Sequence, residues 1–209
     1  MKKYFIALLL LIFHNISVCQ WIEASRPAPA FPLFSFSFPS ENTGFAVGYG
    51  NTMIKSTNGG MNWFNISFFS TTANDLNSVF FINENTGWMG STSDTVFYTT
   101  NSGSSWSPQI WFVSDPNKVF FVNSTTGWIL STPKLYRTTN AGSNWELINS
   151  QMGYDMYFYN SNTGWKTMYS GGSSALYKTT NGGSTWTPMY STSDFRVIYS
   201  FAFVNENTG

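Results

Sequence analysis

A short turn motif, repeated four times, constrains the fold of this chain more than any other feature. In each copy a hydroxyl residue is followed by asparagine, glycine and tryptophan in the pattern hydroxyl-x-Asn-x-Gly-x-x-Trp. The asparagine side chain can accept hydrogen bonds from nearby backbone N–H groups, and the glycine can supply the positive φ of a tight hairpin. The motif therefore predicts four structural hairpins, each covered by its tryptophan ring. The residues are Asn58, Gly60 and Trp63; Asn101, Gly103 and Trp106; Asn140, Gly142 and Trp145; and Asn181, Gly183 and Trp186.

A second motif alternates with the first and gives the architecture. Five times, a strand-like aromatic and β-branched run enters a Thr-Gly turn, at Gly44, Gly87, Gly127, Gly164 and Gly209. The four turn tryptophans are spaced 43, 39 and 41 residues apart (63, 106, 145, 186). A period of about 40 residues with several short strands is typical of a propeller blade. We therefore predict an all-β protein, a β-propeller of four-stranded antiparallel blades with repeats of about 41 residues.

The repeat also predicts which strands of the first and last blades this sequence contains. Trp21 lies 23 residues before Gly44, as Trp186 lies 23 residues before Gly209. Because Trp186 leads into the fourth strand of a blade, the equal spacing predicts that Trp21 does so too, in a blade that lacks its first three strands. The repeat thus predicts an orphan outer strand near 21–24, four blades over about 34–190, and the first strand of a fifth unit over about 197–209. We expect the propeller to be incomplete at its C-terminus, as the front part of a longer protein; the alternative is a molecule of four and a half units.

The N-terminus has the pattern of a secretory signal peptide. Lys2 and Lys3 precede an apolar run, 5–13, that is too short for a membrane span of about 20 residues. We predict cleavage after Cys19 and an extracytoplasmic protein, which is secreted, periplasmic or on the cell surface. The alternative is a lipoprotein acylated at Cys19, although the bulky Val18 stands where a small residue is preferred.

Removal of residues 1–19 would limit the chemistry of the mature chain. His14 and Cys19 are the only histidine and cysteine of the whole sequence, so residues 20–209 offer no disulfide, thiol nucleophile, catalytic triad or His/Cys metal site. Eight basic residues would then face 10 acidic ones, which gives no electrostatic reason to expect nucleic acid. We predict no cofactor and no metal, and a protein that is not integral to the membrane.

The alternation of Thr-Gly-Trp and Thr-Asn-Gly-Gly-x-x-Trp hairpins resembles the photosystem II assembly and stability factor family of BNR (Asp-box) repeat propellers. Asparagine replaces the usual aspartate in every copy, which removes a carboxylate that could hold a metal. The resemblance implies a non-catalytic propeller that, in photosynthetic members, holds an assembling membrane protein partly through a basic patch. Related repeats occur in many secreted bacterial proteins. The arginines of this chain, Arg26, Arg137 and Arg196, are scattered along the sequence.

Asp-box repeats also occur in sialidases and some endoglucanases, which supply an enzyme hypothesis. A sialidase needs three converging arginines, yet Arg137 occupies a strand position that Lys55, Tyr98 and Lys178 fill in the other repeats. A glycosidase needs two facing carboxylates. Three glutamates share one turn position instead, which favours solvated turn residues: Glu41, Glu84 and Glu206. We predict no catalytic residues; the alternative is part of a sialidase- or glucanase-like enzyme.

The remaining candidate site is one face of the propeller. Connections from the fourth strand of one blade to the first of the next, and from second to third strands, emerge on the side opposite both hairpin motifs. Loops on a rigid scaffold often carry function. We predict a non-catalytic scaffold that binds a protein or glycan there; the alternative is that these are solvated acids and partly buried aromatics. The candidates are Asp75, Asp94, Asp115, Asp155, Asp194, Trp111, Tyr154 and Tyr190.

Overall fold

The computed structural model describes residues 25, 27, 31–68, 74–110, 115–131, 133–151, 153–170, 173–191, 197–203, 205 and 207–209. The predicted signal peptide and the predicted orphan strand near 21–24 lie outside the described residues. The described residues contain four four-stranded sheets and no α-helix; one short 3₁₀ turn spans Tyr49–Asn51. In every sheet the strands follow one another in chain order and are antiparallel, which confirms the prediction of propeller blades.

The four strands of each blade are termed a, b, c and d in chain order. Blade 1 contains β1 (Leu33–Ser37), β2 (Gly44–Gly48), β3 (Met53–Ser56) and β4 (Phe64–Asn65). Blade 2 contains β5 (Leu76–Phe81), β6 (Gly87–Ser91), β7 (Thr95–Thr99) and β8 (Ser107–Ile110). Blade 3 contains β9 (Pro116–Phe121), β10 (Gly127–Ser131), β11 (Lys134–Thr138) and β12 (Glu146–Asn149). Blade 4 contains β13 (Met156–Phe158), β14 (Gly164–Ser170), β15 (Ser173–Thr179) and β16 (Thr187–Ser191).

The repeated asparagine turn joins strands c and d of each blade through one hydrogen-bond network. In blade 3, the Thr138 hydroxyl donates to Asn140 Oδ1 (2.9 Å) and accepts from the Gly142 N–H (3.0 Å). Asn140 Oδ1 also accepts from the Asn144 N–H at 2.9 Å, and Gly142 has a φ of +90°. The motif begins with a hydroxyl because that group bonds both the asparagine and the glycine. The same bonds join Ser56, Asn58, Gly60 and Asn62; Thr99, Asn101, Gly103 and Ser105; and Thr179, Asn181, Gly183 and Thr185.

An aromatic ladder runs from blade to blade beneath these turns. The ring of Trp145 meets Phe121 of its own blade edge-on at 5.8 Å, and Phe121 stacks flat on Trp88 of blade 2 at 3.5 Å. The Trp88 indole N–H then donates to the Ala141 carbonyl in the turn of blade 3, at 3.0 Å. Each blade is therefore held to the next by a stacked ring and, at this interface, by an indole hydrogen bond. Equivalent stacks are Phe45 on Phe81 and Trp128 on Phe158, and Trp128 donates to the Gly182 carbonyl.

The glycine of each Thr-Gly turn leaves room for the ladder. A Cβ atom at Gly87 would lie 2.7 Å from the ring of Phe81, which is closer than real Cβ atoms come to other heavy atoms. Any larger residue there would displace the ring from its neighbour. The same ring contact occurs at Gly44, Gly127, Gly164 and Gly209, with Phe38, Phe121, Phe158 and Phe203.

The described residues of 197–209 keep this contact but form no strand. Phe203 stacks on Trp165 of blade 4 at 4.0 Å and packs against Gly209. The predicted first strand of a fifth unit has the ladder contact of a strand a, but its described residues belong to no sheet.

Blade 1 has an apolar face that no other described residue covers. Phe34, Phe36 and Phe38 are 49%, 74% and 44% exposed on its strand a side. They line an open cavity of about 480 Å³ together with Ala46 and Trp63. This face is the counterpart of the surfaces that are buried between the other blades.

Candidate functional site

Hydrogen bonds join neighbouring turns and loops on both faces of the propeller. On the turn face, which carries the a–b and c–d turns, the Ala141 N–H donates to the Thr125 carbonyl at 2.9 Å. On the loop face, which carries the d–a and b–c connections, the side chains of two aspartates join loops of neighbouring blades. Asp75 Oδ1 accepts from the Gly50 N–H at 2.9 Å, and Asp94 Oδ1 accepts from the Asp115 N–H at 3.1 Å. These carboxylates organise the loop face.

The predicted loop-face residues are not all in one place. Asp94 and Asp115 are exposed and adjacent, whereas Asp75 is half-buried. Tyr190 is 61% exposed but lies on strand d of blade 4, three strands from Tyr154. At a spacing of about 4.8 Å per strand, roughly 14 Å separates these two tyrosines. Trp111 and Asp194 lie outside the described residues.

Asp155, a predicted residue of the partner-binding face, is buried, so the alternative that it is a solvated acid does not hold for this residue. Asp155 is only 4% exposed and forms an ion pair with Lys118 of blade 3. Its carboxylate also accepts from the Ser200 hydroxyl (2.8 Å) and from the Phe201 N–H (3.1 Å). The reason is its position in the repeat, three residues before the ladder phenylalanine. The residue at this position of strand a touches the next blade: Ser78 accepts from Val119 N–H at 2.9 Å in the same way.

A group of three tyrosines lies next to Asp155, and we call it the tyrosine cluster. Tyr154 lies 5.6 Å from Tyr199 and 6.3 Å from Tyr169 between ring centroids, with interplanar angles of 57° and 67°. Tyr154 is 40% exposed and Tyr199 is 70% exposed. Sequence reasoning found Tyr154 alone. Tyr199 could have been found from the repeat, because both residues lie four positions before a ladder phenylalanine; Tyr169 had no such signal.

The backbone beneath the tyrosine cluster is held on both sides. The Tyr154 and Asp155 N–H groups both donate to the Thr167 hydroxyl at 3.0 Å. Asp155 then fixes Ser200 and Phe201, which follow Tyr199 directly. The cluster is therefore presented by ordered backbone from two consecutive repeats.

Lys166 is a second residue that sequence reasoning missed. It is fully buried between blades 3 and 4, where its Nζ donates to Asn149 Oδ1 at 2.6 Å and lies 5.0 Å from the ring centre of Trp186. Burial lowers the pKa of this lysine from 10.5 to about 8. Met89 and Ile129 occupy the same repeat position in blades 2 and 3, so comparing the repeats would have identified a lysine at a core position.

The groups considered for glycosidase chemistry have other contacts. Arg137 lies over the Trp128 ring at 5.7 Å and donates to the Ser161 carbonyl at 3.3 Å. Glu84 accepts from the Ser40 and Thr43 hydroxyls on the turn face, and these bonds lower the pKa of its carboxyl group below the ordinary value. Within the described ranges, no group of three His, Cys, Asp or Glu side chains could hold a metal ion. In that part of the chain no helical segment has the length and apolar character of a membrane span.

Known proteins share this architecture. The sequence model of the family described as photosynthesis system II assembly factor YCF48 matches residues 67–189, more than half of this chain. A solved structure described as YCF48 bound to D1 peptide superposes with a TM-score of 0.63 and 21% identity, over 77% of this chain and 54% of that one. This chain thus spans about half the length of that protein. No curated protein matches the sequence.

Two glycoside hydrolase structures are also similar. A GH74 enzyme of Niastella koreensis has a TM-score of 0.60 and 20% identity, over 75% of this chain and 30% of that one. The GH74 xyloglucanase of Xanthomonas campestris has a TM-score of 0.55 and 14% identity, again over 75% and 30%. At such identities the likeness shows the β-propeller fold alone.

Proposed function

Because the chain belongs to the photosynthesis system II assembly factor YCF48 family of BNR-repeat propellers, we propose that it is a non-catalytic scaffold that binds a segment of a partner protein. The observation that carries this proposal is the tyrosine cluster on the loop face. Exposed tyrosines on ordered backbone supply large contact area at a low entropic cost, and tyrosine is enriched at binding hot spots. The structure of YCF48 with the D1 peptide is a precedent for peptide binding in the family.

A capture experiment with matched variants tests this function. The purified chain serves as bait for extracytoplasmic proteins of its own organism, beside a Tyr154→Ala/Tyr199→Ala variant. Tyr159→Ala is the control, because Tyr159 is 47% exposed on the same blade but follows strand a toward the turn face. We expect a protein that is retained by the parent and the control and lost from the double variant. Failure to find any protein with this dependence would contradict a partner-binding role for the cluster.

The enzyme alternative is a carbohydrate-active propeller of the sialidase or glucanase type. Its specific support is the adjacency of Asp94 and Asp115 on the loop face, because glycosidases act through paired carboxylates. Incubation with xyloglucan and with sialosides tests it by the release of reducing sugar or sialic acid. We expect no release; release that is abolished by Asp94→Asn/Asp115→Asn would establish the enzyme instead.

Export is part of the proposed function. Lys2, Lys3 and the apolar run 5–13 support a signal peptide that is cleaved after Cys19. The intact mass of the protein from its own cells should correspond to a chain that begins at Gln20 and is found outside the cytoplasm. A retained N-terminus would contradict export, and a lipid on Cys19 would establish the lipoprotein alternative.

A further inference from the structure

We propose that the outer edge of blade 3 is a further docking site, to which a partner protein adds an extended strand that carries a lysine or an arginine. The outer edge of a blade is the side of its strand d that faces away from strand c. In blade 3 this strand is β12, and no described strand pairs with its outer side. The site is separate from the tyrosine cluster, so either site can fail without the other.

The chain itself shows how a segment pairs with such an edge. In blade 1, the Ser25 N–H donates to the Met61 carbonyl and the Ser25 carbonyl accepts from the Trp63 N–H, both at 3.0 Å. These two bonds form a parallel bridge between Ser25 and Asn62, directly before strand d. Pro27, two residues further on, has no N–H for the next bond of a parallel ladder, which explains why the bridge is isolated.

The same backbone groups are open in blade 3. Ser143 and Trp145 occupy the repeat positions of the two blade 1 residues that bond Ser25. The Trp145 N–H has no hydrogen-bond partner among the described residues. Because the backbone groups of alternate residues in a strand point to the same side, Leu147 also presents its N–H and carbonyl outward. An added strand can therefore form the two bonds that Ser25 forms in blade 1, and two more at Trp145 and Leu147.

Blade 3 alone of the four described blades keeps this edge open. At the position of Leu147, blades 2 and 4 have Pro108 and Pro188, which lack the outward N–H. Proline at a sheet edge protects it from pairing with other chains. In blade 1 the edge is bridged by Ser25. Leu147, by contrast, is 47% exposed and can donate to an added strand.

A polar cavity beside this edge determines which side chain fits. The cavity has a volume of about 210 Å³, and Asn144 and Glu146 are among its lining residues. It is smaller than the roughly 300–1,000 Å³ of small-molecule sites, so it suits a single side chain. Ser25 lies opposite the blade 1 counterpart of Asn144. In the same parallel register, the ligand residue two positions after the bridge lies opposite Glu146, with its side chain on the cavity side.

The charge of the cavity favours a basic side chain at that position. The Glu146 carboxylate is exposed and has no ion-pair partner among the described residues. Arg137 also lines the cavity, but its guanidinium group lies over the Trp128 ring and donates to the Ser161 carbonyl of blade 4. Glu146 is therefore free to pair with a lysine or an arginine of the ligand. The corresponding residues of the other blades are uncharged: Phe64, Ser107 and Thr187.

Fluorescence anisotropy with labelled peptides tests the proposal on the full chain. The probe is a peptide of residues 21–30 of this chain with Pro27→Lys, which restores the missing N–H and places a lysine opposite Glu146. The same peptide with Pro27→Glu is the control probe. Leu147→Pro introduces the proline that blades 2 and 4 accept at this position, and Glu146→Gln removes the charge. Asn65→Pro is the control variant, because it makes the same change in blade 1.

We expect the lysine peptide to bind the parent and Asn65→Pro equally. It should bind Leu147→Pro about fivefold more weakly or worse, because a backbone hydrogen bond is lost. Glu146→Gln should weaken its binding about threefold at low salt, and the parent should bind the glutamate peptide more weakly than the lysine peptide. Hydrogen exchange at the Trp145 and Leu147 N–H groups should slow in the complex.

Several results would overturn the proposal. They are no binding of the lysine peptide, equal binding of the two peptides by the parent, and an affinity that Leu147→Pro leaves unchanged. Loss of binding in Asn65→Pro would place the peptide on blade 1 instead. If Leu147→Pro does not fold, Glu146→Gln and the exchange of the Trp145 N–H decide: an unchanged affinity or an unchanged exchange rate contradicts the site.

Discussion

The interface between blades 2 and 3 and the interface between blades 3 and 4 share an aromatic stack but differ in what surrounds it. Phe121 stacks on Trp88 in the first, and Phe158 stacks on Trp128 in the second, at 3.5 and 3.6 Å. Beside the first stack lies the apolar Ile129, whereas the equivalent residue beside the second is the buried Lys166.

The a strands of the blades differ in the same way. Ser78 accepts one backbone hydrogen bond across the interface of blades 2 and 3, whereas Lys118 and Asp155 form an ion pair across the interface of blades 3 and 4. Both interfaces keep the aromatic stack, so the ladder sets the spacing of the blades. The neighbouring positions of the repeat can then be either apolar or polar.

The largest expected effect concerns the shared part of the two interfaces. Phe121→Ala and Phe158→Ala each remove a buried ring from a stack, and each should lower the free energy of unfolding by about 3–5 kcal/mol. Denaturant titration of both variants measures it. A cost below about 1 kcal/mol for Phe158→Ala alone would mean that the polar contacts, and not the ladder, hold blades 3 and 4 together.

The next largest effect is a pH dependence of the free energy of unfolding that is caused by Lys166. In the folded protein the pKa of Lys166 is lowered from 10.5 to about 8. As the pH rises, Lys166 therefore loses its proton in the folded protein at a lower pH than in the unfolded chain. The free energy of unfolding should therefore rise between pH 8 and 10.5 through this group, by roughly 3 kcal/mol in total. Lys166→Met, with the residue that blade 2 has there, should abolish this rise and exceed the parent in stability at pH 7.

The control for this titration is Ile129→Met, a volume-conserving change at the same position of blade 3. It should cost less than about 1.5 kcal/mol and leave the pH dependence of the parent intact. A pH profile of Lys166→Met that is parallel to that of the parent would show that Lys166 is not the titrating group.

A smaller effect distinguishes the ion pair between a strands from the single hydrogen bond between a strands. Asp155→Asn removes the charge opposite Lys118, whose side chain is 35% exposed and can turn to water, so we expect a cost of about 2 kcal/mol. Ser78→Ala removes one acceptor and should cost about 1 kcal/mol. High salt should reduce the difference between the costs of the two substitutions, because it screens the ion pair of the parent protein. Equal costs at every salt concentration would contradict an electrostatic contribution from Asp155.

The smallest effects compare the turn face with the loop face. Asn140→Ala removes the acceptor of the turn that receives Trp88, and Asn181→Ala does the same for the turn that receives Trp128. Each should cost about 0.5–2 kcal/mol by thermal melting. Asp115→Asn should stay within about 0.5 kcal/mol, because its contact to Asp94 uses the backbone N–H. A larger cost for Asp115→Asn than for Asn140→Ala would reverse our assignment of the structural face.

The sequence predicted the blades and their hairpins because both depend on short-range patterns that recur. The hydrogen bonds of Asn140 and the positive φ of Gly142 lie within one turn, so their spacing in the sequence was sufficient to predict that turn. The burial of Asp155 was not predicted because it depends on Lys118, which lies 37 residues away on another blade. Lys166 and Tyr169 were missed for the same reason: burial between blades and proximity across loops are properties of the packed array.

The ladder has a direction, and this has a consequence for how such a chain can change its length over generations. At each interface the second strand of one blade contacts the first strand and the c–d turn of the next, as Trp88 does with Phe121 and Ala141. A duplicated repeat therefore carries both halves of the contact, and it joins its neighbours without any new complementary surface. Whole blades could thus be added or removed while every remaining interface keeps both of its halves.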